Sequence, residues 1–143
     1  MPHRILVVDD EHSIVDTVAL IFESVGYVTV RAYSGIEALT RARQACPNLL
    51  LCDVMIPDLN GFEVAFRIKE ICPGCRILLF SGDISVGRVR DDFALHFQER
   101  GYRYELLSKP LHPVALLDKV QQSLLSRSPL KGVGANRCAD ASR

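Results

Sequence analysis

Four apolar runs in this 143-residue chain each end on a residue that can handle charge or a phosphoryl oxygen. Ile5–Val8 runs into Asp9-Asp10-Glu11, Leu49–Cys52 into Asp53, Ile77–Phe80 into Ser81, and Leu106–Ser108 into Lys109. Carboxylates at close range repel and raise one another's pKa unless a cation intervenes. An all-oxygen cluster suits a hard divalent ion, and Mg²⁺ accepts a few carboxylates together with waters and phosphate oxygens. Lys109 adds a positive charge on the far side, and Ser81 adds a hydroxyl between them. Such a pocket has the parts needed to hold a phosphoryl group. A carboxylate can itself be the nucleophile and become an aspartyl phosphate. Residue chemistry alone does not select which aspartate attacks.

Each residue also has an ordinary reading. Asp9 or Asp10 could cap a helix starting near His12. Asp53 could be a turn former, Ser81-Gly82-Asp83 a turn and cap, and Lys109-Pro110 a solvated strand end. What favours chemistry is their joint placement, and that depends on the elements carrying them.

Those elements alternate. Arg4–Val8, Val28–Tyr33, Leu49–Cys52, Arg76–Phe80 and Tyr102–Ser108 read as strands, most of them continuous apolar runs. Between and after them lie helical patterns. Ile14, Val18, Ile21, Phe22 and Val25 share one face, with Gly26 as a stop. Glu37 to Ala45 follows, then a helix with Phe62, Val64, Ala65, Ile68 and Ile71. Residues 84–100 form a mixed segment with Val86, Val89, Phe93, Leu95 and Phe97, stopped by Gly101. A last helix opens at Pro113, with Val114, Leu117, Val120 and Leu124 as its stripe.

Five strand–helix units predict an α/β fold: an open, doubly wound, five-stranded parallel sheet with helices on both faces. Sites in such sheets form beyond the carboxyl ends of the strands, where strand order reverses. In the flavodoxin-like order 2-1-3-4-5, the first and third strands are neighbours. Asp9, Asp10 and Asp53 then converge on one pocket. Residues 1–126 are read as the folded domain. Residues 127–143, rich in Ser, Gly, Ala, Asn and Arg, are read as a flexible tail.

Composition narrows the function. Lys plus Arg and Asp plus Glu are both 17, a formal net charge of +0, which pulls toward neither nucleic acid nor an anionic membrane. No run of about 18 apolar residues exists, and the N-terminus lacks a signal-peptide pattern, so the expectation is a cytoplasmic protein with no membrane segment. The five cysteines, an odd and scattered set, are read as packing residues and not a disulfide framework; this includes the Cys72-Pro73-Gly74-Cys75 pair. The four histidines are too dispersed for a metal site and are read as surface residues.

Taken in order, Ile5-Leu6-Val7-Val8-Asp9-Asp10-Glu11, Asp53-Val54-Met55-Ile56-Pro57-Asp58-Leu59-Asn60-Gly61, Phe80-Ser81-Gly82 and Lys109-Pro110 resemble the receiver domain of two-component response regulators. The resemblance runs from about residue 3 to 126. It implies that Asp53 is the phosphoacceptor. Asp9 and Asp10 would be the acidic pair for Mg²⁺, with the Met55 backbone carbonyl completing the protein's share of the coordination. Ser81 would be the switch hydroxyl, Lys109 the phosphoryl-pairing lysine, and the Lys109–Pro110 bond cis. The phosphodonor would be a sensor histidine kinase or a phosphotransfer protein. The output would be a docking switch on the face of the fourth helix, fifth strand and fifth helix, toward an unidentified downstream protein or a second copy. On this reading the chain is a stand-alone receiver with no direct nucleic-acid contact, and not an enzyme beyond assisting its own phosphoryl transfer and dephosphorylation.

Two positions depart from the family pattern. Leu106 stands where an aromatic switch residue is common, and Tyr104 is the aromatic on the same side by strand alternation. The segment from Ser81 to Lys109 is also several residues longer than usual. The alternatives are a receiver-like scaffold that works through phosphorylation-independent contacts, or a small α/β enzyme. A scaffold would lack an acid or the lysine, and none is missing. A phosphohydrolase would carry an acid where Met55 stands. A cofactor binder would carry a glycine-rich loop where Asp9-Asp10-Glu11-His12 stands.

Overall fold

Each of the five segments expected to be strands contains a strand in the computed structural model, which describes residues 2–82, 92–110 and 112–125. The chain order is β1 (Arg4–Val8), α1 (His12–Ser24), β2 (Val28–Ala32), α2 (Gly35–Gln44), β3 (Leu49–Asp53), α3 (Gly61–Ile71), β4 (Arg76–Ser81), α4 (Asp92–Glu99), β5 (Glu105–Ser108) and α5 (Pro113–Leu125). The strands are all parallel, in the order β2-β1-β3-β4-β5. The expected fold and strand order are therefore observed. The expected tail, 127–143, and the Val86 and Val89 part of the segment before α4 lie outside the described residues.

Strand alternation divides the core in two. Leu6, Val8, Leu50, Cys52, Ile77 and Leu79 pack on one face with α2, α3 and Phe97 of α4. Ile5, Val7, Leu49, Leu51, Leu78 and Phe80 pack on the other with α1 and α5. Both faces of β3 are buried, which is why its sequence is unbroken leucine and cysteine up to the aspartate.

The helix stripes differ in detail from the sequence pattern. In α1 the buried residues are Val15, Val18, Ala19 and Phe22, and Val25 is exposed as the C-cap. In α5 they are Leu116 and Val120, while Val114 is 63% exposed. α1 and α4 stop where glycine was expected, at Gly26 (φ 99°) and Gly101 (φ 73°), backbone conformations that disfavour a side chain.

β5 begins later than the sequence suggests, at Glu105 instead of Tyr102. The rings of Tyr102 and Tyr104 instead join the aromatic packing between α3 and α4. Tyr104 meets Phe62 edge-on at 5.3 Å and Phe97 at 5.6 Å, and Tyr102 meets Phe97 at 5.2 Å. Leu106 is 45% exposed on this edge strand.

The cysteine reading needs correction. Cys46, just past α2, and Cys72, just past α3, form a disulfide with Cα atoms 5.6 Å apart. Periodicity could not show this, because the two residues are brought together only when α2 and α3 pack side by side. Cys52 and Cys75 are buried free thiols, and burial pushes the Cys75 thiol up to about 12. Cys138 lies outside the described residues.

Candidate functional site

β1 and β3 are hydrogen-bonded neighbours in a register that pairs Val8 with Cys52. The next residue along each strand direction is Asp9 and Asp53, so the two aspartates leave the sheet side by side. Both continue the odd-numbered side of their strands, the side of Val7 and Leu51 that faces α1 and α5. Lys109 follows Leu107, which packs against that same face. One periodicity thus delivers two carboxylates and one ammonium to a common place.

The ammonium joins them. Lys109 Nζ donates to Asp53 Oδ2 at 2.9 Å and to Asp9 Oδ2 at 3.1 Å. Asp9 is fully buried and Asp53 is 6% exposed, so neither carboxylate is compensated by bulk water. Burial alone would lower the Lys109 pKa, but the hydrogen bonds and charges of Asp53 and Asp9 outweigh it and raise it. The ammonium also lies 4.9 Å from the centroid of the Phe80 ring, the residue that pairs with Asp53 across the sheet.

The other carboxylate oxygens are held by backbone. Asp53 Oδ1 accepts from the Met55 N–H at 3.0 Å, and Asp9 Oδ1 accepts from the Glu11 N–H at 3.0 Å. The helix-cap reading of the acidic pair is corrected here. The N-cap of α1 is Glu11, which makes no side-chain cap bond, and Asp9 serves a turn outside the helix. The turn-former reading of Asp53 is correct for one oxygen, leaving the second for Lys109.

Asp10 is exposed beside the pair, and one carboxylate oxygen from each of Asp9, Asp10 and Asp53 lies within 4.8 Å of the others. This donor set is all oxygen and brings three formal negative charges against the single positive charge of Lys109. It fits a hard divalent cation such as Mg²⁺. Ser81 ends β4, opposite Ser108, and its carbonyl accepts from the Lys109 N–H at 2.9 Å. That bond sets the lysine backbone against the end of β4. The Lys109–Pro110 peptide bond is cis, as expected.

Two further residues shape the loop from β3 to α3. Gly61 donates its N–H to the Val54 carbonyl at 2.7 Å, and a Cβ on it would come within 2.5 Å of the Asp53 carbonyl oxygen. Asp58 accepts hydrogen bonds from the N–H groups of Gly35 and Ile36 at the start of α2. The asparagine–glycine pair hints at Gly61 through its turn chemistry. No local pattern singles out Asp58, because its partners lie 23 and 22 residues away.

A family model described as the response regulator receiver domain matches residues 5–121. The DNA-binding response regulator MtrA of Mycobacterium tuberculosis is 30% identical over 124 residues, covering 87% of this chain and 51% of MtrA. The alkaline phosphatase synthesis transcriptional regulatory protein PhoP of Bacillus subtilis is 43% identical over 70 residues, 49% of this chain and 29% of PhoP. The chain thus spans about half or less of the length of these curated relatives. Among solved structures, a CheY-like receiver domain protein from Methanospirillum hungatei superposes with a TM-score of 0.74 at 27% identity, covering 87% of this chain and 94% of that one.

Proposed function

This chain belongs to the response regulator receiver family, and we propose that Asp53 accepts a phosphoryl group from the phosphohistidine of a sensor histidine kinase or phosphotransfer protein. The observation that carries the proposal is Lys109 Nζ bridging Asp53 Oδ2 at 2.9 Å and Asp9 Oδ2 at 3.1 Å. It ties the end of β5 to the ends of β3 and β1 and puts the positive charge beside the attacking oxygen.

In the reaction, a carboxylate oxygen of Asp53 forms the new bond to phosphorus. The bond between phosphorus and the donor imidazole nitrogen breaks, and the nitrogen leaves with the bonding pair. The Met55 N–H holds Oδ1 of Asp53, which fixes the plane of the carboxylate for in-line approach. Lys109 exchanges its bond to the carboxylate for one to a phosphoryl oxygen, and the Ser81 hydroxyl closes on another. Asp9, Asp10, Asp53 and the Met55 carbonyl would hold Mg²⁺. When bound, the ion supplies neutralisation of the charge spread over the phosphoryl oxygens. Attack of water on phosphorus later returns inorganic phosphate and the free carboxylate. Each chain takes up a single group, so the protein is read as a switch and not as a turnover enzyme.

The output is assigned to the face of α4, β5 and α5. Its exposed Leu95 and Leu106 (both 45%) and Val114 (63%) support a partner or a second copy docking there. No helix among the described residues is long and apolar enough to cross a membrane. We take the protein to be cytoplasmic, with no nucleic-acid contact by the receiver itself. Cell fractionation and DNA-binding assays test those parts.

The phosphorylation reading is tested by labelling with a small-molecule phosphodonor. Labelling should require Mg²⁺, saturate at one group per chain, and vanish in Asp53→Asn. Full labelling of that variant would remove Asp53 from the role.

A further inference from the structure

The loop from β3 to α3 has to present the Met55 carbonyl toward the carboxylates, yet Met55 itself is 58% exposed and does not pack it in place. The ends of the loop are fixed by backbone bonds, Val54 N–H to the Phe80 carbonyl at 3.0 Å and Gly61 N–H to the Val54 carbonyl at 2.7 Å. Asn60 caps α3 by accepting from the Glu63 N–H at 3.0 Å. Its middle is tied by Asp58. Oδ1 accepts from the Gly35 N–H at 3.0 Å and Oδ2 from the Ile36 N–H at 2.9 Å. These are the first two residues of α2, whose donors have no partner inside the helix and whose end carries partial positive charge.

The rest of that helix end is satisfied separately. Ser34 accepts from the Glu37 N–H as the N-cap, and the Glu37 carboxylate reaches back to accept from the Tyr33 N–H, one residue before the N-cap. The loop is also pressed on α2 by shape: a Cβ on Gly35 would lie 2.9 Å from Leu59 Cβ. Burial alone would raise the Asp58 pKa, but the backbone hydrogen bonds outweigh it, so the carboxylate is held ionised below its ordinary value.

We propose that Asp58 is a positioning residue for the site: by clamping the middle of the β3–α3 loop to the N-terminus of α2, it holds the Met55 carbonyl where it can complete the Mg²⁺ coordination. The inference rests on the phosphorylation reading. It follows that a change at Asp58 weakens metal binding although Asp58 touches neither the metal nor the phosphoryl group. Groups that orient metal ligands from behind typically alter affinity by about tenfold or more when removed.

The test is Mg²⁺ titration by calorimetry on the full chain, with the melting temperature recorded for each variant. Asp58→Ala should bind Mg²⁺ about tenfold more weakly than wild type. Asp58→Asn, which keeps one acceptor oxygen, should fall between the two, and it decides the matter if the alanine variant does not fold. Ser34→Ala removes a cap from the same helix end without touching the loop. It should lower the melting temperature and leave Mg²⁺ affinity unchanged. Wild-type affinity in both Asp58 variants, or an equal loss in Ser34→Ala, would overturn the inference while leaving the phosphorylation reading intact. Wild-type protein that binds no Mg²⁺ would overturn both, and that arm tells the two failures apart.

Discussion

Asp9 and Asp53 use their carboxylates in the same way. In each, Oδ1 accepts from the backbone N–H two residues on, at 3.0 Å, and Oδ2 accepts from Lys109 Nζ. The match arises because the two residues end adjacent parallel strands on the same side, so each chain turns away from the sheet at an equivalent point. Two nearly buried carboxylates aimed at one ammonium are poised for a cation of higher charge.

Replacing one of these oxygens by an amide breaks the match. Asp9→Asn keeps a side-chain oxygen for the Glu11 N–H but turns an NH₂ group toward Lys109. Mg²⁺ affinity should fall at least about tenfold. Calorimetric titration checks it, and unchanged affinity would show that Asp9 is not a ligand.

The close approach of Gly61 to Asp53 makes a second prediction. Gly61→Ala puts a methyl group within 2.5 Å of the Asp53 carbonyl oxygen and 2.7 Å of Val54 Cα, both backbone atoms that cannot swing aside. Overpacking of this kind costs about 1–3 kcal/mol. Urea unfolding should show that loss, and phosphodonor labelling should slow because the acceptor's own backbone is displaced. A neutral Gly61→Ala would mean the loop yields freely.

Much of this was legible in the chain. The unbroken apolar run of β3 ending in Asp53 betrays a strand buried on both faces, and five strand segments alternating with helices leave few topologies open. The strand ends then name the site. The chain was silent where contacts cross between helices. Cys46 and Cys72 meet across α2 and α3, and Asp58 reaches α2 from another loop. Neither pairing has a local signature. At β5 the aromatic residues Tyr102 and Tyr104 fit a strand by propensity, but packing against Phe62 and Phe97 draws them out of it.

The Cys46–Cys72 bond closes a loop with a sequence separation of 26. By loop-closure entropy, such a link stabilises by about 3.5 kcal/mol. Adding dithiothreitol should lower the urea midpoint accordingly, and Cys46→Ser should show the same midpoint with or without the reductant. A wild-type midpoint indifferent to reductant would count against the bond. Cys75, buried and with its thiol pushed up to about 12, should resist alkylation at pH 8 until the protein unfolds.

Lys109 gives a pH dependence. Its pKa is raised in the folded protein by Asp53 and Asp9 despite burial, relative to an unfolded value of about 10.4. A raised folded value contributes stability that is fully present below the unfolded pKa and is lost as pH rises through the folded one. Metal-free wild type should therefore exceed Lys109→Met in unfolding free energy by a constant margin from pH 7 to 9. The margin should shrink above about pH 10.4. A margin that did not change up to pH 12 would mean the lysine charge does not stabilise the folded state.

The most direct test of the account is to locate the phosphoryl group. After labelling with a phosphodonor and Mg²⁺, borohydride reduction converts an aspartyl phosphate to homoserine, which peptide mass spectrometry can place. The prediction is homoserine at position 53, one per chain, and none without Mg²⁺. Homoserine at position 9 or 10, or phosphate retained on a histidine with position 53 unmodified, would contradict it.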